Sequence, residues 1–372
     1  MPAAVALVLA SACGGGGQSV TTAATPTAAT KSSAVGVGYA AEIGGMDKLV
    51  AAAQRERVLN VIGLPSDWAN YGALLDRFER KYGIAVTARQ AGASSRAELA
   101  AARSLRGTSR APDVFDLNIG VAADNLGLLA PYKVTTWGDI PDGVKEPSGR
   151  YVGGYGGIMS IGYDAKRVPA PRTVADLLNP AYRAKVAVNG DPTRAGAAFA
   201  AIVMAALGNG GSAEDVGPGV DFFARLKQDG NLLPTSPTAG TIRRAETPVV
   251  VDWDYTNVQR AANLPTTVDW RVVIPQRAVV GSYYVQAINA EAPHPAAARL
   301  WQEFLFSDEG QNLWLSSYVR PVRAEAMRKA RALDEAAYAR LPATHGPPAL
   351  LTPPQIRLAK RHVIDNWAKA LG

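Results

Sequence analysis

Val58-Leu59-Asn60-Val61-Ile62-Gly63-Leu64 is followed by Ser66-Asp67 and then by Tyr71, Leu74, Leu75, Phe78 and Tyr82, with Gly83 closing the run. A short aliphatic, β-branched stretch predicts a buried strand. The five apolar residues after it recur at helical spacing, Ser66-Asp67 offers N-cap chemistry, and Gly83 suits a helix end. Strand therefore leads to helix, and the rhythm repeats. Ile84–Ala88 reads as a second strand, and Ser95-Arg96-Ala97-Glu98 as a capping box opening a helix to about Leu105. Ala111–Leu117 reads as a third strand, and Ala122–Leu129 as a helix. Upstream, Asp47 caps a short helix ending at Arg55. This alternation predicts an α/β fold in which helices flank a mainly parallel sheet.

The glycine-rich segment Tyr151–Tyr163 interrupts the pattern. Glycines within a strand permit bends and close backbone approach. The segment reads either as a crossing between two halves of the molecule or as a plain bulged strand. A second alternating series follows: helix at Val174–Leu178, strand at Lys185–Asn189, an Ala-rich helix at Ala195–Leu207 and a helix at Val220–Gln228. Strands are expected at Val249–Val251, Trp270–Pro275 and Tyr283–Ile288. A last helix opens at Pro353-Pro354 and is expected to bury Ile356, Val363, Ile364 and Trp367.

Thr247–Asn257 holds the densest candidate chemistry. Val249–Val251 runs directly into Asp252-Trp253-Asp254-Tyr255. If the extended conformation persists, Asp252 and Asp254 share one face and Trp253 and Tyr255 the other. Paired carboxylates repel unless a cation or donors lie between them, and aromatic faces also hold cations. The competing reading is that these residues start a turn or cap the next helix.

The chain of 372 residues suits about two domains, and 48% hydrophobic with 19% charged residues is ordinary for a soluble globular protein. A net charge of +7 is spread along the sequence without a basic run, which argues against a nucleic-acid partner. Pro2–Ala12 is apolar but too short to span a bilayer. It ends in Ala10-Ser11-Ala12-Cys13 ahead of four glycines. This resembles the lipobox of bacterial lipoproteins, which would make residues 1–13 a signal peptide and Cys13 a lipidation site. Leu9 stands one place earlier than usual, and the absence of a basic residue before the apolar run points to a start upstream of Met1. The Gly-, Ser-, Thr-, Ala- and Pro-rich segment after it cannot bury enough surface to order itself, so 14–44 is expected to be a tether.

Catalytic signatures are scarce. His294, His345 and His362 are scattered, and no nucleophile elbow, zinc-binding pair of histidines or spaced Cys/His cluster occurs. A carboxylate pair two residues apart on one strand does not flank a substrate as glycosidase carboxylates do. Neither enzyme chemistry nor a cofactor or metal is therefore expected. Binding fits better, because open α/β sheets hold ligands at the carboxyl ends of their strands. The loops there carry Asp67, Trp68 and Tyr71; Ser94 and Ser95; Asp116; Asp191, Thr193 and Arg194; and Asp252, Trp253, Asp254 and Tyr255. The excess of aspartates favours a cationic ligand, whereas helix N-termini after Ser95 and Thr193, with Arg194, favour an anion.

Leu64-Pro65-Ser66-Asp67-Trp68-Ala69-Asn70-Tyr71, Phe78–Ile84, Ala111-Pro112-Asp113-Val114, Gly127–Tyr132, Thr173–Tyr182 and Ala292–Gln311 together resemble substrate-binding proteins of bacterial ABC importers. The resemblance covers about residues 55–325, to the group containing spermidine/putrescine- and ferric-iron-binding proteins. It implies a type II, two-lobed periplasmic-binding-protein fold, with lobe 1 at 45–155 and 280–372 and lobe 2 at 156–279. It also implies a hinge, a small solute held between the lobes, a membrane permease as partner, and an exported monomer tethered only by its lipid. Ferric members place adjacent tyrosines after the strand that here precedes Asp254-Tyr255, so only one matches. Polyamine binders use acidic and aromatic side chains, which makes a polyamine the leading expectation; a phosphonate, an organic acid or ferric iron is the alternative within the same fold, and a secreted carboxylate-pair hydrolase the alternative outside it.

Overall fold

The computed structural model describes residues 36–372. Cys13 and the expected signal peptide lie outside the described residues. Residues 37–44, expected to belong to the tether, are docked on the folded body. Val37 and Ala40 are buried, and the buried Arg299 donates from Nε to the Val37 carbonyl at 2.9 Å.

The elements run α1 (Met46–Glu56), β1 (Val58–Ile62), α2 (Tyr71–Tyr82), β2 (Ala85–Arg89), α3 (Ser95–Ser104), β3 (Val114–Asn118), α4 (Ile119–Ala123) and β4 (Leu129–Ala130). The long β5 (Val152–Asp164) leads to β6 (Val186–Val188), α5 (Gly196–Gly208), α6 (Gly217–Gln228), α7 (Ala239–Arg243), β7 (Val249–Trp253), α8 (Asp254–Asn263) and β8 (Trp270–Val273). The chain then returns through β9 (Val280–Asn289) to α9 (Pro295–Leu305), α10 (Asp308–Ser316), β10 (Arg320–Pro321), α11 (Ala324–Lys329), α12 (Glu335–Tyr338), β11 (Ala349–Leu350) and α13 (Pro353–Leu371).

Both alternating series are present. β2, β1 and β3 are parallel neighbours, as are β6 and β7. The strands joining the two groups run antiparallel. β9 pairs with β3 on one side and with the first half of β5 on the other, from Val152↔Gln286 to Ile158↔Gly281. The second half of β5 pairs with β7 and β8, from Met159↔Trp253 to Asp164↔Trp270. Thus β5 in one direction and β8–β9 in the other are common to both sheet halves, and the crossing falls near Ile158 and residues 274–279.

The register of β5 on β9 shifts between Gly153 and Tyr155, so the strand is bulged as well as crossing. A methyl on Gly157 would lie 2.5 Å from a ring carbon of Tyr255, so the missing side chain makes room for that ring.

Several local expectations are revised. The helix after β1 begins at Tyr71 behind Asn70 in the left-handed region, not at Ser66-Asp67. Ser94, not Ser95, caps α3 by accepting the Ala97 N–H at 3.4 Å. Glu98 takes no part in a capping box; its carboxylate is buried and accepts the Asp116 N–H at 3.1 Å. Ile364 on α13 is 56% exposed rather than buried. The Ala-rich α5 is apolar on every side, and it is buried on nearly every side as such a helix must be.

α13, in the segment 280–372 expected to belong to lobe 1, touches both sheet halves. Its Trp367 ring meets Phe223 of α6 at 5.8 Å, and Lys227 donates to the carbonyl of Gly372 at 3.3 Å. At its other end Arg357 pairs with Asp124, just beyond α4, at 3.0 Å. Its start is fixed by a capping box between Thr352 and Gln355.

Candidate ligand-binding cleft

A cleft of ≈ 540 Å³ opens between the carboxyl ends of β1 and β3 and the loop before α5. Trp68, Ser94, Ser95 and Asp116 line it from the first series, and Thr193 and Arg194 from the second. Six of the expected residues are therefore brought together, and Arg96, Glu98, Asn118, Tyr284 and Lys360 join them. Ser94 and Ser95 are occupied structurally only as acceptors, from Ala97 and Asn118 N–H, which leaves their hydroxyl protons available. Thr193 donates its hydroxyl to Asp191 at 2.7 Å.

The charges in this cleft fall into two kinds. Arg96 and Arg194 are exposed and make no ion pair or side-chain hydrogen bond among the described residues. The acids lie deeper and are satisfied. Asp116 is 5% exposed and accepts hydrogen bonds from Tyr155 Oη at 2.9 Å and Gln286 Nε2 at 2.7 Å. Burial pushes its carboxyl up to about 7, against the opposing pull of those donors. Glu98 is raised well above the carboxylate range by burial and by Asp116.

Aromatic rings form the floor. Trp68 donates from Nε1 to Tyr155 Oη at 2.9 Å, and the Tyr155 hydroxyl in turn donates to Asp116. Tyr284 stacks on Tyr155 with centroids 5.4 Å apart, while Trp68 stands edge-on to Tyr255 at 5.5 Å. The Tyr255 hydroxyl is buried and has no hydrogen-bond partner among the described residues.

Asp252 and Asp254 do not present the paired carboxylates expected of an extended strand. β7 stops at Trp253 and α8 starts at Asp254. Asp252 is fully buried; its Oδ2 meets Arg260 and Asn189, each at 2.9 Å, and its Oδ1 accepts the Trp253 N–H at 2.8 Å. Asp254, also fully buried, takes the N–H groups of Ile158 and Tyr255 at 2.9 Å and meets Arg320 Nε at 2.8 Å. Burial raises both carboxyls, opposed by those arginines. Neither carboxylate caps α8, whose N-cap Trp253 makes no side-chain cap hydrogen bond, and neither is left open to a cation, since both are taken up by arginines within the fold. Trp253 and Tyr255 nevertheless stack, 6.5 Å apart, and Trp253 lines a small apolar chamber beside the cleft.

Three other expected residues lie elsewhere. Tyr71 is core, its hydroxyl accepting from Gln286 at 3.0 Å. Asp67 is exposed and does not line the cleft. Asp191 lines a separate groove with Leu232 and Trp367. Among the described residues no cluster of His, Cys, Asp or Glu is arranged to hold a metal, and no helix is long and apolar enough to cross a membrane.

Residues 111–343 match the family model of bacterial extracellular solute-binding proteins. The chain belongs to that family. Such a protein is the solute-binding component of an ABC transporter, exported to the periplasm or cell surface, and works with permease subunits. Solved solute-binding proteins share the fold throughout. One from Bordetella parapertussis superposes with a TM-score of 0.68 at 16% identity, covering 86% of this chain and 100% of its own. The periplasmic binding protein AfuA from Actinobacillus pleuropneumoniae, with fructose-6-phosphate bound, gives 0.64 at 17% identity, covering 84% and 99%. The spermidine/putrescine-binding PotD of Streptococcus pneumoniae gives 0.62 at 15% identity, covering 85% and 100%. Ferric binding proteins are similar too. At these identities the likeness establishes the fold, a two-lobed periplasmic-binding-protein architecture of type II. Comparison by sequence with curated proteins gives no significant match.

Proposed function

We propose that this solute-binding protein captures a small anionic solute, of the phosphate-ester, phosphonate or carboxylate kind, and delivers it to its permease without chemical change. The observation that carries this reading is the division of charge in the cleft. Its exposed cations, Arg96 and Arg194, have no acidic partner among the described residues, while its acids are buried and hydrogen-bonded within the protein. Hydroxyls of Ser94 and Ser95 beside the start of α3 add donors that suit an anion. The sugar phosphate held by AfuA is a ligand of this chemical class. The polyamine expectation loses its main support, because Asp252 and Asp254 already hold arginines.

The reading extends to the mechanism of capture. The two crossings between the sheet halves, within β5 near Ile158 and between β8 and β9 at residues 274–279, act as the hinge. Trp68 meets Tyr255 across the resulting interface, so closure shields the ligand from water. A lipid on Cys13 tethers the protein near its permease, and it works as a monomer.

Thermal-shift measurement against phosphate esters, phosphonates, dicarboxylates, ferric salts and polyamines tests the ligand class. Stabilisation by an anion alone supports it, and stabilisation by a polyamine or ferric salt alone rejects it.

A further inference from the structure

The segment matched by the family model ends at residue 343, ten residues before α13 begins at Pro353. Yet α13 contributes to the cleft. Lys360 and Ile364 line it together with Ser94, Ser95 and Arg194. Lys360 also lines the adjoining chamber of ≈ 60 Å³, whose walls include Phe199, Val203, Trp253 and Ile356. This one side chain thus stands at the junction of a polar cleft and an apolar recess.

We propose that α13 is a third wall of the binding site, and that Lys360 contacts the ligand and determines its specificity for an anion bearing a short apolar group. The inference rests on the anion reading above and deepens it.

Lys360 is half-buried and has no ion pair or hydrogen bond among the described residues. Its ammonium lies over the Phe199 ring, 5.6 Å from the centroid. Burial lowers its basicity, and the nearby Arg96 lowers it further, against a smaller opposing pull from Asp124. Asp124 itself is engaged by Arg357. Two cations held near each other, one of them partly desolvated, are an unfavourable arrangement unless an anion comes between them. The ligand's charged group supplies that anion, and its apolar end enters the recess.

The anchoring of α13 gives this contact a mechanical consequence. α13 bonds to Asp124 in the first half and to Phe223 and Lys227 in the second. A ligand held by Lys360 therefore draws together both lobes and the helix that spans them. Between these anchors Ile356, Ala359 and Val363 pack the helix into the core, so Lys360 is carried on a fixed element.

The test uses the full chain with two probes, inorganic phosphate and propylphosphonate, followed by calorimetry and by amine acylation read by mass spectrometry. Propylphosphonate is expected to bind more tightly than phosphate. Lys360→Ala should weaken propylphosphonate binding by roughly tenfold or more, as loss of a charged hydrogen bond does, while Lys360→Arg retains most of it. In the unmodified protein, propylphosphonate should protect Lys360 from acylation and leave exposed Lys48 and Lys329 unaffected, a readout that does not depend on any variant folding. Unchanged affinity in Lys360→Ala, or equal acylation with and without the probe, overturns the role of Lys360. Phosphate binding as tightly as propylphosphonate overturns the apolar recess as a subsite. If Arg194→Ala abolishes binding while Lys360→Ala does not, the anion reading stands and this inference fails. If neither probe nor any other anion binds, both fail.

Discussion

Asp254 and Arg320 form an ion pair at 2.8 Å in which the carboxylate is fully buried and the arginine side chain is 14% exposed. The pair joins the start of α8 to β10, and Asp254 also takes the Ile158 N–H at the middle of the crossing strand β5. Arg320 completes the knot by donating to the Pro342 carbonyl at 2.7 Å. Removing one member of a buried pair leaves the other charge uncompensated, at a cost of about 3–5 kcal/mol. Asp254→Asn is therefore expected to destabilise the fold by about that amount in urea unfolding. A variant of native stability with weakened ligand binding would return Asp254 to the cleft as a ligand contact.

Arg194 is exposed, has no ion-pair partner among the described residues and lines the cleft, so its loss should be felt in binding and not in folding. A charge-assisted hydrogen bond contributes about 1.5–3 kcal/mol, which predicts a decrease in anion affinity of roughly ten- to hundredfold for Arg194→Ala. The melting temperature without ligand should stay within a degree or so of the parent, since surface substitutions change stability by about ±0.5 kcal/mol. Circular dichroism and calorimetry on one preparation separate the two effects.

Asp116 gives the cleft a pH dependence. Burial holds its carboxyl at about 7, so it is mostly neutral below that pH and ionises above it. The new negative charge faces an anionic ligand, and affinity is expected to fall as pH rises through 7. Stability follows the same sign. The folded state holds a proton that the unfolded chain releases at the lower pH typical of aspartate. Stability is thus greatest below the unfolded value, decreases as pH rises toward 7, and levels off above it. Asp116→Asn should reduce the slope of both profiles between about pH 5 and 8, leaving the part that Glu98, also raised by burial, contributes. The ligand used should keep a constant charge over that interval.

Gly157 and the Tyr255 ring occupy complementary space. Gly157→Ala would set a methyl 2.5 Å from a ring carbon, and the ring is wedged between Trp68 and Trp253. Overpacking of this kind costs about 1–3 kcal/mol. The predicted outcome is a lower melting temperature, with partial recovery in Gly157→Ala/Tyr255→Leu, where the flat ring is gone.

The strand–helix alternation was legible because each element carries its own period and its own apolar face. The Val-rich β7, the helix face from Tyr71 to Phe78 and the Ala-rich α5 all depend on local pattern. The glycine-rich crossing was legible in the same way, and it proved to be a bulged strand as well. The role of the aspartates was not. Asp252 and Asp254 look like ligand groups until their partners are known, and those partners sit 8 positions away at Arg260 and 66 positions away at Arg320. No local signal distinguishes a carboxylate awaiting a ligand from one already holding an arginine. The same distance in sequence conceals the cleft's cations. Arg96 read as the second residue of a capping box, and nothing in the sequence singles out Lys360 on the terminal helix. Their juxtaposition follows from α13 reaching back across both halves.

The central claim is that the cleft recognises negative charge. Titration calorimetry of the purified chain, with phosphate esters, phosphonates, dicarboxylates, putrescine and spermidine in the syringe, tests it most directly. The account predicts saturable one-to-one binding of at least one anionic solute, abolished or much weakened in Arg194→Ala, and no binding heat from either polyamine. Saturable polyamine binding that survives Arg194→Ala, with every anion silent, would contradict it.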